Sequence, residues 1–259
     1  MSAVTLDLWH TLLYVGPDDE ERYMEAQIRI AEEALAAGAV LPGRAPVPDD
    51  ALGNIFEKVY AEAVDAAADG RTISPREQIE IAAERAGRRL DVPAYLRALR
   101  DEVLHLKFRR APGAPELLKG LRADGYRIAV ISNTVGEPGE YLRPILRDMG
   151  FDDSVEHYVF SDELPWAKPA PEIFQLALRE IGSDPSSAVH VGDGWSDIEG
   201  ARRAGYRASI LFTGLHEYGE RYRALFASFG HRVIAPDRRA ERLEEIGPII
   251  RELLPPGGP

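Results

Sequence analysis

Ala3-Val4-Thr5-Leu6-Asp7-Leu8 is a short apolar run broken by one carboxylate, and its distance from the next such run decides the fold. Residues 3–8 read as a buried strand, because a brief apolar run bounded by turn-formers suits a strand covered on both faces. Comparable runs recur only after residue 126, at 127–131, 157–160, 188–191, 207–212 and 231–234. The stretch between carries helical periodicity in four pieces, 18–38, 48–68, 76–89 and 93–107. Their breaks are the Pro-rich Leu41-Pro42-Gly43-Arg44-Ala45-Pro46 and Ser74-Pro75. After Ala111-Pro112-Gly113-Ala114-Pro115, helices at 115–124, 139–148, 171–181, 196–205 and 239–253 alternate with strands, the pattern of right-handed β-α-β units. The expected architecture is α/β: a Rossmann-like parallel-sheet core domain from residues 1–15 and 109–259, with an all-helical domain inserted over 16–108.

Bulk properties narrow the function. A chain of 259 residues, 45% hydrophobic, can bury a full core. With 43 acidic against 31 basic side chains, its net charge of −12 disfavours nucleic acid and anionic membrane surfaces as partners. Cysteine is absent, which rules out disulfides, thiolate metal sites and a cysteine nucleophile. Met1 runs directly into the first strand without a signal-peptide pattern, and no window approaches a membrane span, so a cytoplasmic location is expected.

In open parallel sheets the site lies at the C-terminal strand ends, and four segments put chemistry there. Asp7 ends the first strand, where it serves either as a reactive carboxylate or as a cap of the adjoining turn. Ser132-Asn133-Thr134 ends the second with a hydroxyl, an amide and fresh backbone N–H groups, a set that holds an anionic oxygen and is also ordinary turn chemistry. Lys168 precedes Pro169-Ala170-Pro171, a stiffened loop with Pro171 placed for the first turn of a helix. The most specific segment is His190-Val191-Gly192-Asp193-Gly194-Trp195-Ser196-Asp197, where two carboxylates four residues apart come after a strand. Together with Asp7 they make an oxygen-rich site suited to Mg²⁺.

In order and spacing, over almost the whole chain, these segments resemble the haloacid dehalogenase superfamily. The resemblance implies that Asp7 is the nucleophile, Ser132 the hydroxyl of the second motif, Lys168 the lysine of the third, and Asp193 with Asp197 the acidic fourth motif. It further implies that the helical insertion is a C1-type cap that selects substrates. In phosphatases of the family the nucleophile forms an aspartyl-phosphate that water hydrolyses. Mg²⁺ is then expected on Asp7, the Trp9 carbonyl and Asp193, with Asp197 acting through a water or an outer bond. Trp9, His10, Thr11, Asn133 and Thr134 are the expected substrate-side groups.

One part of that pattern is missing. Family phosphatases carry a second Asp two residues after the nucleophile, which protonates the leaving oxygen; here Trp9 stands there. General acid-base help is worth about 10²–10⁴ in rate, so alkyl phosphates should turn over slowly while acyl, aryl and anhydride phosphates suffer less. His10 has the chemistry to replace the acid, although a side chain just past a strand end also fits one turned away. Trp9 reads equally as packing or as an aromatic wall. The expected function is a Mg²⁺-dependent phosphatase or phosphoryl-transfer enzyme on a small phosphorylated metabolite, with impaired acid-base catalysis. Two alternatives stand beside it: a 2-haloacid dehalogenase, whose halide leaves without an acid, and a catalytically weak relative that binds a phospho-ligand or a protein. No motif in 16–108 decodes the substrate. Arg71, Arg109 and Arg110 are the candidate contacts for an anionic one.

Overall fold

A computed structural model of the chain describes residues 1–45, 47–215, 224 and 235–256. Six parallel strands form its main sheet: β1 (Ala3–Leu6), β4 (Arg127–Ser132), β5 (His157–Phe160), β6 (Ala188–Gly192), β7 (Ala208–Phe212) and β8 (Arg238–Ala240). Their order is β5-β4-β1-β6-β7-β8. The chain builds outward from β1 on one side, then crosses to the other, so the strand order reverses beside β1, the place where open sheets of this kind bind ligands at their C-terminal edge.

Alternation along the strands explains why both faces are covered. On β4, Ile128 and Val130 point into one core with Leu117 and Leu121 of α5 (Ala114–Ala123) and Leu142 and Leu146 of α6 (Gly139–Asp148). Ile246 and Ile250 of α9 (Leu243–Leu253) join that face. Ala129 and Ile131 point the other way, onto Ile173 and Phe174 of α7 (Pro171–Glu180) and Ala201 of α8 (Trp195–Ala204). Pro171 sits in the first turn of α7, where its missing N–H costs nothing.

Between β1 and β4 lie β2 (Leu13–Tyr14), α1 (Pro17–Ala37), α2 (Leu52–Ala68), α3 (Pro75–Ala86), α4 (Val92–His105) and β3 (Arg109–Arg110). The four helices pack on one another. Ser74 opens α3 with a capping box to Glu77, and Asp91 caps α4 through Ala94 N at 2.9 Å, which fixes the breaks between them. Where the insertion leaves and rejoins the sheet, β2 and β3 pair antiparallel.

Two expectations shift. The first strand stops at Leu6 rather than residue 8, since Asp7, after one more ladder bond to Val191, turns into a loop. The sixth strand is Arg238–Ala240, overlapping the start of the helix expected at 239–253, and the helix starts at Leu243. The strand expected at 231–234 lies outside the described residues.

Candidate active site

Asp7 leaves the central strand into a turn wound around the Leu8 carbonyl, which accepts from Leu12 N and Leu13 N at 2.9 Å each. That winding places His10 in the left-handed region, φ 55°, a conformation costly for a side-chain-bearing residue. From the neighbouring strand β6, Gly192 leads into Asp193, and a Cβ at Gly192 would collide with Asp197 Cγ. Glycine therefore lets Asp197, three residues into α8, fold back over the strand end. There its Oδ2 accepts from Gly194 N at 3.0 Å.

Lys168 joins these strands. Its Nζ donates to Asp7 Oδ1 and, at 2.7 Å, to Asp197 Oδ1, with only 3% of the lysine exposed. The lysine backbone is held from the second strand: Asn133 Oδ1 accepts from Lys168 N at 2.7 Å and Asn133 Nδ2 donates to Lys168 O at 3.0 Å. The Lys168–Pro169 peptide is cis. Both Asn133 amide atoms are thus committed to positioning the lysine rather than facing a substrate. Thr134 is committed likewise: its hydroxyl donates to Asp162 and accepts from Asp162 N at 3.0 Å.

Charge is unbalanced at this edge. Asp7, Asp193 and Asp197 present oxygens within 4.8 Å of one another, and Lys168 supplies one ammonium. Burial pushes the Asp7 carboxyl well above the usual carboxylate range; Lys168 works against that push, and Asp197 and Asp193 add to it. Asp197 goes the other way: burial would raise it, but Lys168 and His190 hold it down at about 2. Burial alone would lower the Lys168 ammonium, and Asp197 and Asp7 more than reverse this, leaving it above the ordinary lysine range. With all three ionised, three carboxylates against one ammonium leave two negative charges, the complement of one divalent cation. Asp197 already spends its oxygens on Lys168, His190 and Gly194, whereas the Trp9 carbonyl accepts no hydrogen bond among the described residues. The donor set thus fits a hard divalent ion on Asp7, Asp193 and the Trp9 carbonyl.

Two groups behind the site were not singled out by sequence reasoning. His190 Nε2 lies 3.1 Å from Asp197 Oδ1 and its Nδ1 lies 2.7 Å from Thr5 Oγ1. A carboxylate can only accept, so Nε2 carries the proton and Nδ1 accepts from Thr5. Burial, against the pull of Asp197, holds the imidazole below its ordinary pKa. The available signal was a polar residue inside each of two otherwise apolar strands.

The remaining expected groups divide. Among the described residues the Ser132 and Thr11 hydroxyls are buried at the sheet edge without a hydrogen-bond partner, as donors awaiting a ligand oxygen would be. The Trp9 ring packs 5.9 Å from Phe108, and its Nε1 is also unpartnered. His10 Nε2 faces Glu20 Oε1 of α1 at 3.4 Å. Of the arginines, Arg109 and Arg110 are exposed on the β3 ribbon, and Arg71 pairs through its backbone with Trp166.

Comparisons with known proteins bear on family and fold. Over 127 residues the chain is 38% identical to glyceraldehyde 3-phosphate phosphatase of Pyrococcus abyssi, 46% of this chain and 52% of that protein, so this match spans about half the relative's length. Phosphoglycolate phosphatase of Aquifex aeolicus is 28% identical over 178 residues, 56% of this chain and 82% of that one. Among solved structures, a HAD phosphatase from Thermococcus onnurineus superposes with TM-score 0.61 at 20% identity, covering 96% of this chain and 98% of its own. A 2-haloacid dehalogenase from Pseudomonas syringae pv. Tomato also gives 0.61, at 23% identity, covering 97% and 99%. These likenesses show the fold, which both chemistries share. The family model for haloacid dehalogenase-like hydrolases matches residues 1–205, and the chain belongs to that family.

Proposed function

We propose that the protein is a Mg²⁺-dependent phosphatase for a small phosphorylated metabolite, with residues 1–15 and 109–259 as catalytic core and 16–108 as a substrate-selecting cap. The observation that carries this reading is the Lys168 ammonium held between Asp7 and Asp197 beside a third carboxylate, Asp193. Asp7 attacks phosphorus and takes up the phosphoryl group, the organic oxygen leaves, and water then cleaves the aspartyl-phosphate. Lys168 offsets the repulsion between nucleophile and phosphoryl group, while Ser132 and Thr11 offer the unpartnered hydroxyls that its oxygens need. Mg²⁺, held by Asp7, Asp193 and the Trp9 carbonyl, would neutralise the remaining charge. Asp197 and the His190–Thr5 pair keep Lys168 aimed.

Trp9 offers no carboxylate to protonate the leaving oxygen, so the enzyme favours leaving groups that depart as anions. A 2-haloacid dehalogenase shares that property, but the acidic excess at Asp7, Asp193 and Asp197 favours phosphoryl chemistry with a cation. Purified protein should hydrolyse aryl and acetyl phosphate only with Mg²⁺, and acid quenching should trap phosphate on Asp7. Absence of both, or chloride release from a 2-chloro acid in chelator, would overturn the assignment.

A further inference from the structure

The side that α1 and α2 turn toward this sheet edge, its roof, is built from groups of a different kind. Loops 7–12 and 133–138 leave the adjacent strands β1 and β4 at the same sheet edge. The first carries His10 up to Glu20. On the second, the Gly136 carbonyl accepts from the Tyr23 hydroxyl at 3.4 Å. A Cβ at Gly136 would lie 2.9 Å from Gln27 Nε2 and 3.1 Å from the Tyr60 hydroxyl, so α1 and α2 press their polar side chains directly against this loop. Glu137 is the next residue along. Burial chiefly, then the negative charges of Glu20 and Asp162, push its carboxyl up to about 7, against the backbone N–H groups that it accepts from. The charges acting most strongly on Glu137, Tyr23 and Tyr60 all belong to acidic groups; no lysine or arginine is among them.

Gln27 supplies an independent sign that something binds here. It is 4% exposed, its amide lies against Gly136, and it makes no hydrogen bond among the described residues. Its amide atoms are not among the sealed-off unpartnered polar atoms of the described residues, so an unbonded amide on an otherwise buried side chain keeps an opening through which a ligand can reach it. A ligand entering here meets two carboxylates, an amide and two phenols, and Tyr faces also favour a cation.

We infer that Glu20, Gln27, Tyr60 and Glu137 form the seat for the organic half of the phosphate ester, and that this half presents hydrogen-bond donors, best of all a protonated amine, and no carboxylate. A negative group there would face the Glu137 and Glu20 carboxyls, with the His10 imidazole already engaged by Glu20 at 3.4 Å, which is how a site rejects the wrong ligand. The inference rests on the phosphatase reading of the floor below and names the substrate class of that same site.

Three two-carbon esters isolate the charge: 2-aminoethyl phosphate, 2-hydroxyethyl phosphate and phosphoglycolate. Titration calorimetry on Asp7→Asn with Mg²⁺, and competition against aryl phosphate hydrolysis by the wild type, should rank them in that order. The amine should exceed the carboxylate by about tenfold or more in affinity. Glu137→Gln should compress the series to within about threefold. Phosphoglycolate binding as tightly as the amine, or no binding of any of the three, overturns the inference. The wild-type ranking decides even if Glu137→Gln does not fold. If aryl phosphate is not hydrolysed while the calorimetric ranking holds, the phosphatase reading fails and this ligand preference stands; normal hydrolysis with a reversed ranking does the opposite.

Discussion

At the sheet edge one ammonium, Lys168, is shared by Asp7 and Asp197, whereas under α1 and α2 the carboxylates of Glu20 and Glu137 meet an imidazole, an amide and phenols. The floor groups sit at or near the ends of parallel strands, so the sheet fixes their spacing. The roof groups come mostly from the helical insertion and from one loop, so their spacing is set by helix packing. The floor has the excess of negative charge that a divalent ion and a phosphoryl clamp require. The roof has the acceptors that the proposed selection of the organic group requires. On the proposed reading, chemistry and selection fall to different parts of the chain that meet at two loops.

Substitutions that act on one region and spare the other sharpen this contrast. The largest effect belongs to Asp7→Asn, which removes the proposed nucleophile and should lower aryl phosphate turnover by about a thousandfold or more, measured as phosphate release, with ligand binding retained. Next comes Lys168→Met. It strands two buried carboxylates, and breaking such a pair costs about 3–5 kcal/mol, read from urea unfolding, together with loss of turnover. Gly192→Ala forces Asp197 off Gly194 N and away from Lys168; overpacking of this kind costs about 1–3 kcal/mol, and turnover should fall further than stability alone explains.

The smallest effect belongs to the roof and depends on pH. Glu137 has a folded pKa of about 7 against an ordinary glutamate value of 4.5. The folded state therefore holds this proton more tightly than the unfolded state, and stability falls as pH rises from about 4.5 to about 7. Glu137→Gln removes that slope. Its melting temperature should match the wild type near pH 5 and exceed it above pH 7; an equal pH dependence in both proteins would contradict the burial of this carboxyl.

Legibility in the sequence shows the same division. Asp7, Ser132, Lys168, Asp193 and Asp197 were visible because strand ends bounded by turn-formers are local signals, and a parallel sheet brings its C-terminal ends together. The Asn133 clamp on the Lys168 backbone was not visible, since it joins residues 35 apart in the chain and leaves no periodic trace. Strands β2, β3 and β8 escaped notice because two or three residues, four of them arginines in β3 and β8, carry no apolar run. The roof was wholly silent. Glu20, Tyr60 and Glu137 lie on three separate elements, and only packing makes them neighbours.

The central claim is that the floor performs phosphoryl transfer without a carboxyl at position 9 to protonate the leaving oxygen. Its most direct test is kcat/KM for a series of phosphate monoesters of rising leaving-group pKa, in wild type and Trp9→Asp. The account predicts a steep fall in the wild type and a much shallower one in Trp9→Asp, with alkyl esters gaining about 10²–10⁴ in rate relative to aryl esters. A wild-type slope as shallow as that of Trp9→Asp would contradict it.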